Sequence, residues 1–452
     1  MTDASATTAS GGSSGSAGSG STDSTDTVTA SAAEAVLSGL GDIRESLESF
    51  YKDLHQHPEL GFQEHRTAGH VAQALNEWDY EVTEEVGQTG VIGVLHNGEG
   101  PTVLLRADMD ALPVREQTGL PYASAATGTD SDGVEHPVMH ACGHDVHVTC
   151  LLGAARLLAA GTDAWQGTLV VLFQPNEENG SGARAMVDDG LAQRIPRPDV
   201  ALGQHVLPAP AGSVLTRSGV MMAASDSLRV TLHGRGAHGS MPERAIDPVV
   251  LAAMVVIRLQ TVVAREISAT TPAVVTVGSI RAGSGPNIIP DTAELQLNIR
   301  SFDEEARTRI LTAVRRIVTS ECAASGADRD PEFETLSEFS VTDNDEEATN
   351  RIATAFEASF GRDRALTVGL VPASEDFGEL PAGLGCPSSY WGLGGIDPDT
   401  YRKAERAGTV DRDIPSNHSS RFAPVVQPTL DMGVRALVTA SLAWLAPRPK
   451  GS

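Results

Sequence analysis

Positive charge is scarce in this sequence. Lysine occurs three times in 452 residues, and Lys+Arg total 33 against 59 Asp+Glu, a formal net charge of −26. That balance argues against nucleic acid or an anionic membrane as a partner, since both need a cationic surplus to displace counterions. Cysteine is scarce too: Cys142, Cys150, Cys322 and Cys386 are too few and too scattered for a disulfide framework. Long apolar runs are missing. The longest clean one, residues 249–257, is half of what a bilayer-crossing helix needs. The N-terminus has neither the basic start nor the apolar stretch of a secretory leader. What remains is the profile of a cytoplasmic enzyme. The hydrophobic share of 40% is ordinary, and the length allows two or three domains at ~150 residues each.

Residues 1–33 form a separate regime, in which Ser, Thr, Gly and Ala fill 28 of 33 positions. Such a segment buries too little to offset its ordering entropy and reads as a disordered tail. From about Glu34 helical and strand patterns alternate. Residues 43–54 are amphipathic, and residues 102–106 and 168–173 are short continuous apolar runs typical of strands buried on both faces. A helix over 147–160 separates them, and 200–203 reads as a further strand. This alternation predicts an α/β catalytic domain with a mostly parallel sheet flanked by helices. The middle differs: strands at 227–233, 273–280 and 294–302 with helices at 248–265 and 304–323 predict an inserted α+β open-faced sandwich. The catalytic domain is therefore expected over 34–218 and 334–452, with a lid or dimerisation domain at 219–333.

Four stretches carry chemistry. In Met139-His-Ala-Cys-Gly-His-Asp-Val-His147, Cys142 and His144 stand two apart. In an extended loop both can face one way and chelate a borderline-soft divalent metal. The bland alternative is a buried cysteine beside a helix start. The apolar strand over 168–173 runs into Glu177-Glu178, and ligands gather at the carboxyl ends of such strands. One carboxylate can bind metal while its neighbour faces a water; the alternative is a solvated acidic turn. His205 follows the strand at 200–203, and His418 precedes the last helix. Either histidine alone is more often structural. Together, Cys142, His144, Glu178, His205 and His418 would suit two clustered metals, with Glu177 free as base.

The sequence resembles the amidohydrolase branch of the co-catalytic metallo-aminoacylase and carboxypeptidase superfamily, which includes hippurate hydrolase, N-acetyl amino acid deacetylases and plant auxin-conjugate hydrolases. The matching stretches are His55-Gln-His-Pro-Glu-Leu-Gly-Phe-Gln-Glu64, Arg106-Ala-Asp-Met-Asp-Ala-Leu-Pro113, His140-Ala-Cys-Gly-His-Asp145, Phe173-Gln-Pro-Asn-Glu-Glu178, Gly234-Arg-Gly-Ala-His238, Asn287-Ile-Ile-Pro-Asp291, Ser374-Glu-Asp-Phe377 and His418. They cover nearly everything after the tail, in order.

The resemblance implies metal ligation by Cys142, His144, Glu178, His205 and His418, general acid/base work by Glu177, and two divalent ions, zinc or manganese before cobalt or nickel. It implies that His238 stabilises the oxyanion, from the same chain or from a partner subunit. It implies too that Asn287 and Arg300 hold the substrate's carboxylate or amide oxygen. Arg300 could instead pair with Asp303 or Glu304. Asp108 and Asp110 are expected to orient ligand imidazoles, and a homodimer is expected. The substrate implied is a small N-acyl amino acid. Asn176 and Asn179 depart from the usual pattern and bear on acyl preference; Gln204 either reaches the metals or caps its strand.

Rival classes fit less well. Gly234-Arg-Gly-Ala-His-Gly239 follows the glycine spacing of a dinucleotide loop but is followed by Ser-Met-Pro rather than a helix. A dipeptidase or carboxypeptidase, or a carbamoyl-amide hydrolase, is the alternative within the superfamily. A binding-only relative would be expected to lack Glu177 or a ligand.

Overall fold

Aliphatic runs bounded by polar turns build the centre of an eight-stranded sheet. The computed structural model describes residues 22–130 and 132–447. Thr102–Asp108 and Gly167–Gln174 are buried along their whole length and pair in parallel, Leu104 opposite Val170. Val200–Pro210 lies parallel on the other side of Thr102–Asp108, and Ser388–Ile396 lies parallel beyond it. Antiparallel strands extend both edges: Gly90–Asn97 and Glu81–Val86 on one, Val214–Thr216 on the other. Helices Leu40–Gln56, His144–Ala160 and Val426–Leu445 cover one face, and Gly182–Asp188 and Glu379–Leu384 the other. Burial on both faces is what permits the unbroken Val/Leu runs. The expected α/β architecture is the one observed.

The second sheet is antiparallel, in the order Ala273–Ala282, Thr292–Ser301, Ala224–His233, Glu332–Phe339. Leu228, Val230 and Leu232 alternate into its core with Leu295, Leu297 and Ile299, under helices Pro248–Leu259, Thr261–Glu266 and Glu304–Ala324. The pattern over 248–265 is thus two helices, parted at Gln260. A boundary at 333 would cut Glu332–Phe339, which pairs with Ala224–His233 through Val230 and Phe333. This edge strand exposes most of its acid-rich sequence, so its alternation is weak.

Residues 22–33 of the expected tail are helical instead. Helix Thr22–Leu37 crosses that boundary, with Thr29, Ala32, Ala33 and Val36 buried against the catalytic domain. Small side chains that read as linker composition let this helix approach closely. The rest of the expected tail, residues 1–21, lies outside the described residues. Among the described residues one segment, Pro248–Glu266, has the length and apolarity to cross a membrane, with 33% of its most apolar stretch buried. An uninterrupted-run criterion passed over it because Arg258 divides it.

Candidate metal centre and active site

Parallel strands deliver their ends to one place. Asp108 closes its strand, Glu177 and Glu178 follow Gly167–Gln174, and His205 lies two residues beyond Gly203, the partner of Arg106. His205 sits within Val200–Pro210 rather than after it, because pairing with Ser388–Ile396 carries the strand on. Cys142 and His144 flank Gly143 at the start of helix His144–Ala160. Gly143 has φ 87°, and a Cβ there would stand 2.4 Å from Val206 Cγ1, so only glycine brings the Cys142 loop against the strand. His418 reaches in from the loop before the last helix, its amide donating to the Ala141 carbonyl at 2.9 Å.

The candidate donor atoms of Cys142, His144 and His205 lie within 4.8 Å of one another, as do those of Cys142, Glu178 and His418. The two triplets share the Cys142 sulfur. Its Sγ is 3.4 Å from His205 Nε2, while Glu178 oxygens stand 3.8 Å from His144 Nε2 and 3.3 Å from His418 Nε2. The imidazoles are oriented from behind: Asp110 Oδ1 is 3.1 Å from His144 Nδ1, and His205 Nδ1 meets the Val206 carbonyl at 2.8 Å. Buried His144 Nε2 and Glu178 Oε1 are left with no hydrogen-bond partner. Burial, with Glu178 and Glu177 beside it, pushes the Cys142 thiol well up. Burial raises Glu178 to about 8 against the opposing pull of His144, and holds His205 down at about 3. Crowded acids and orphaned, buried ligand atoms are what a divalent cation compensates, and the mixed S, N and O donors suit a borderline-soft one. The residues fit a metal centre.

Glu177 is 4% exposed and groups with Glu375 and Asp376. Burial, then Glu375 and Glu178, lift its carboxyl well above the usual carboxylate range. A family model described as Peptidase family M20/M25/M40 matches residues 104–414. The chain belongs to the M20/M25/M40 family. It is similar to hippurate hydrolase from Campylobacter jejuni, 40% identical over 340 residues, 75% of this chain and 85% of that one. Similarity to thermostable carboxypeptidase 1 of Saccharolobus solfataricus is 35% over 406 residues, 87% of this chain and 94% of that one. Among solved structures it resembles a Bacillus subtilis protein described as a dinuclear metal binding peptidase from the M20 family, with TM-score 0.68 and 28% identity. That match covers 89% of this chain and 98% of the other. As a member of this family the chain is a metal-dependent hydrolase of amide bonds.

This M20 chain places its donor cluster at the floor of a cavity of about 500 Å³ that also reaches the second domain. Arg300 lines it, donating to the Pro372 carbonyl at 2.6 Å, to Ser374 Oγ at 3.2 Å and to Asn298 Oδ1 at 3.1 Å. It makes no ion pair with Asp303 or Glu304. Asp303 caps helix Glu304–Ala324 and Glu304 pairs with Arg307 instead. His238 and Asn287 are not among the cavity's lining residues. They meet on an outlying two-stranded tip, where His238 pairs with Ile288, its Nδ1 meeting Ser240 Oγ at 2.7 Å in solvent.

Some contacts around the cluster were not anticipated from the sequence. Asn417 donates to the carbonyls of Cys142 and Val206, at 3.1 and 3.0 Å, tying the His418 loop to the segments that carry Cys142 and His205. His147 contacts Asp108 through Nδ1 at 2.5 Å and accepts from the Val206 amide at 2.8 Å, so both its nitrogens are engaged. Gln204 does neither expected thing: buried on the opposite strand face, its amide packs beside Gly433 without a hydrogen-bond partner. Its place next to His418 could have flagged Asn417, and His147 ends the stretch that carries Cys142 and His144.

Proposed function

We propose that the chain hydrolyses the amide bond of N-acyl amino acids, with Cys142, His144, Glu178, His205 and His418 holding two divalent cations. The observation that carries this reading is Arg300, a cation without a carboxylate partner among the described residues, in the same cavity as the donor cluster. A planar guanidinium fork suits a substrate carboxylate. Zinc and manganese are the first candidates, cobalt and nickel the next. Such cations lower the pKa of water and polarise the amide carbonyl. Glu177 takes the proton of the attacking water and returns it to the leaving nitrogen, a task that needs a carboxyl able to exist in both protonation states.

His238 lies too far out on its tip to line this chain's own cavity, which supports its delivery across a homodimer. Helix Pro248–Leu259 offers a face for such a contact, with Val249, Val250, Met254 and Ile257 exposed. Glutamate at Met254 and Ile257 together is expected to give a monomer by analytical ultracentrifugation, with turnover lost in step. A stable dimer in that variant would remove this face from the interface. The acidic, Lys-poor composition supports a chain without a nucleic-acid or anionic-membrane partner, and the few scattered cysteines support a cytoplasmic setting.

The direct test is release of free amino acid from N-acetyl, N-benzoyl and indole-acetyl amino acids by metal-reconstituted protein. Arg300→Met is expected to raise KM about 10- to 100-fold, the loss of a charge-assisted hydrogen-bond pair. Substrates with the carboxylate amidated should be indifferent to the change; equal loss on both would take Arg300 off the carboxylate. The likeness to a carboxypeptidase over 87% of the chain keeps peptide hydrolysis as a second reading. Release of amino acid from unblocked dipeptides, with silence on N-acyl amino acids, would favour it.

A further inference from the structure

Beside the first cavity lies a larger one of about 840 Å³. Glu178 and Ser337 line both, so the two adjoin beside the donor cluster. We infer that this second cavity is the acyl subsite and that it takes apolar acyl groups larger than acetyl, an assignment resting on the N-acyl amino acid reading. A trans amide sends its two substituents in opposite directions. With the carboxylate on Arg300 in the first cavity, the acyl substituent leaves the reacting carbon on the far side, past Glu178.

The chemistry of the walls agrees. Leu60, Phe62, Leu112, Pro113 and Leu336 supply apolar surface. Asp130, Glu178 and Glu338 also border the space and, among the described residues, no Lys, Arg or His does, so a carboxylate is repelled there and an apolar group is not. The volume falls within the range of small-molecule sites and far exceeds what a methyl group fills.

The walls are held firmly. Phe62 sits at φ 61°, in the left-handed region that few large residues occupy. The preceding Gly61 packs on Asn176, where a Cβ would stand 1.8 Å from Oδ1. Asn176 is itself fixed, accepting from Asn179 at 2.6 Å and donating to Ser181 at 2.7 Å. The two asparagines that depart from the usual pattern thus build this cavity's wall. Opposite, a Cβ on Gly180 would lie 2.8 Å from the Glu338 carbonyl and 2.9 Å from the Phe339 ring. The Glu-pair loop therefore touches the second domain's edge strand, which brings Leu336 over the cavity as its roof.

Acetyl, hexanoyl and phenylacetyl derivatives of one amino acid, offered to the metal-reconstituted full chain, test the assignment. The phenylacetyl substrate should exceed the acetyl one by about tenfold or more in kcat/KM, the range a hydrophobic pocket can supply. Leu336 is 40% exposed, so changing it leaves the core intact. Leu336→Trp should lower the phenylacetyl-to-acetyl ratio about tenfold, and Leu336→Ala should raise hexanoyl relative to acetyl. Opposite shifts from one position are beyond a merely misfolded variant. Turnover confined to the acetyl substrate, or a ratio unmoved by either change, overturns the subsite and leaves N-acyl hydrolysis standing. Failure on every acyl group overturns the underlying reading and the subsite with it.

Discussion

Replacing Glu177 with glutamine is expected to lower kcat about a thousandfold while bound metal, measured by elemental analysis, stays at its wild-type stoichiometry. Two neighbouring carboxylates stand at this strand end, 3.9 and 3.8 Å from His144 Nε2, and their surroundings differ beyond that shared neighbour. Glu178 belongs to the donor triplet with Cys142 and His418, its oxygen 3.3 Å from His418 Nε2. Glu177 also stands near His144, but it groups in addition with Glu375 and Asp376 and is nearly closed to solvent. An acid–base group needs a proton affinity near that of the atoms it serves, and burial among carboxylates moves Glu177 in that direction. Glutamine keeps the volume and the hydrogen-bonding shape but cannot exchange a proton. A large fall in kcat with KM and metal content unchanged would locate the loss in the chemical step. If metal content fell in proportion, Glu177 would be a ligand. Retained turnover would assign the proton transfer elsewhere.

What the sequence made legible follows from how each feature is encoded. Thr102–Asp108 and Gly167–Gln174 were readable because strands buried on both faces must be continuous apolar runs, and their ends locate the Glu pair without further help. Cys142 and His144 were readable as a candidate pair because a two-residue spacing lets a short loop turn both side chains one way. His205 and His418 are single residues, brought in by pairing with Ser388–Ile396 and by a loop hydrogen bond to Ala141. Their places after the strand at 200–203 and before the last helix made them candidates only in combination, and the family resemblance implied them as ligands. The edge strand Glu332–Phe339 was missed because an exposed, acidic strand has no hydrophobic rhythm. The start of helix Thr22–Leu37 was missed because alanine and threonine burial looks like linker composition. His238 is the converse case: its motif is plain, but its place outside the cavity depends on tertiary arrangement.

The least legible feature carries the largest expected effect on stability. Arg106 interrupts an apolar strand and its side chain has no exposure at all. It donates to Gln174, Asp108 and Glu375, each at 2.8 Å, and reaches Asp376 at 3.2 Å and the Tyr390 hydroxyl at 3.3 Å. Burial opposes its charge, yet Glu375 and Asp108 hold it firmly protonated. Arg106→Leu therefore leaves the buried Glu375 carboxylate without its main counter-charge and should lower unfolding free energy by about 3–5 kcal/mol in urea at pH 8. The pH dependence separates lost charge from lost packing. In the wild type, Glu375 is held below its usual range: burial works against this, and Arg106 outweighs it. Its stabilisation is present above the unfolded carboxylate pKa of about 4.3 and is lost as pH falls through the folded value. Without Arg106 the same carboxyl is raised, so the variant is penalised above about pH 4.3 and relieved as acid protonates it. The relief of the variant makes the deficit shrink from pH 8 toward pH 5, before the wild type begins to lose its own share in stronger acid. A deficit equal at the two pH values would mean that Arg106 matters for its volume, and that the acids beneath Glu177 are already protonated around it.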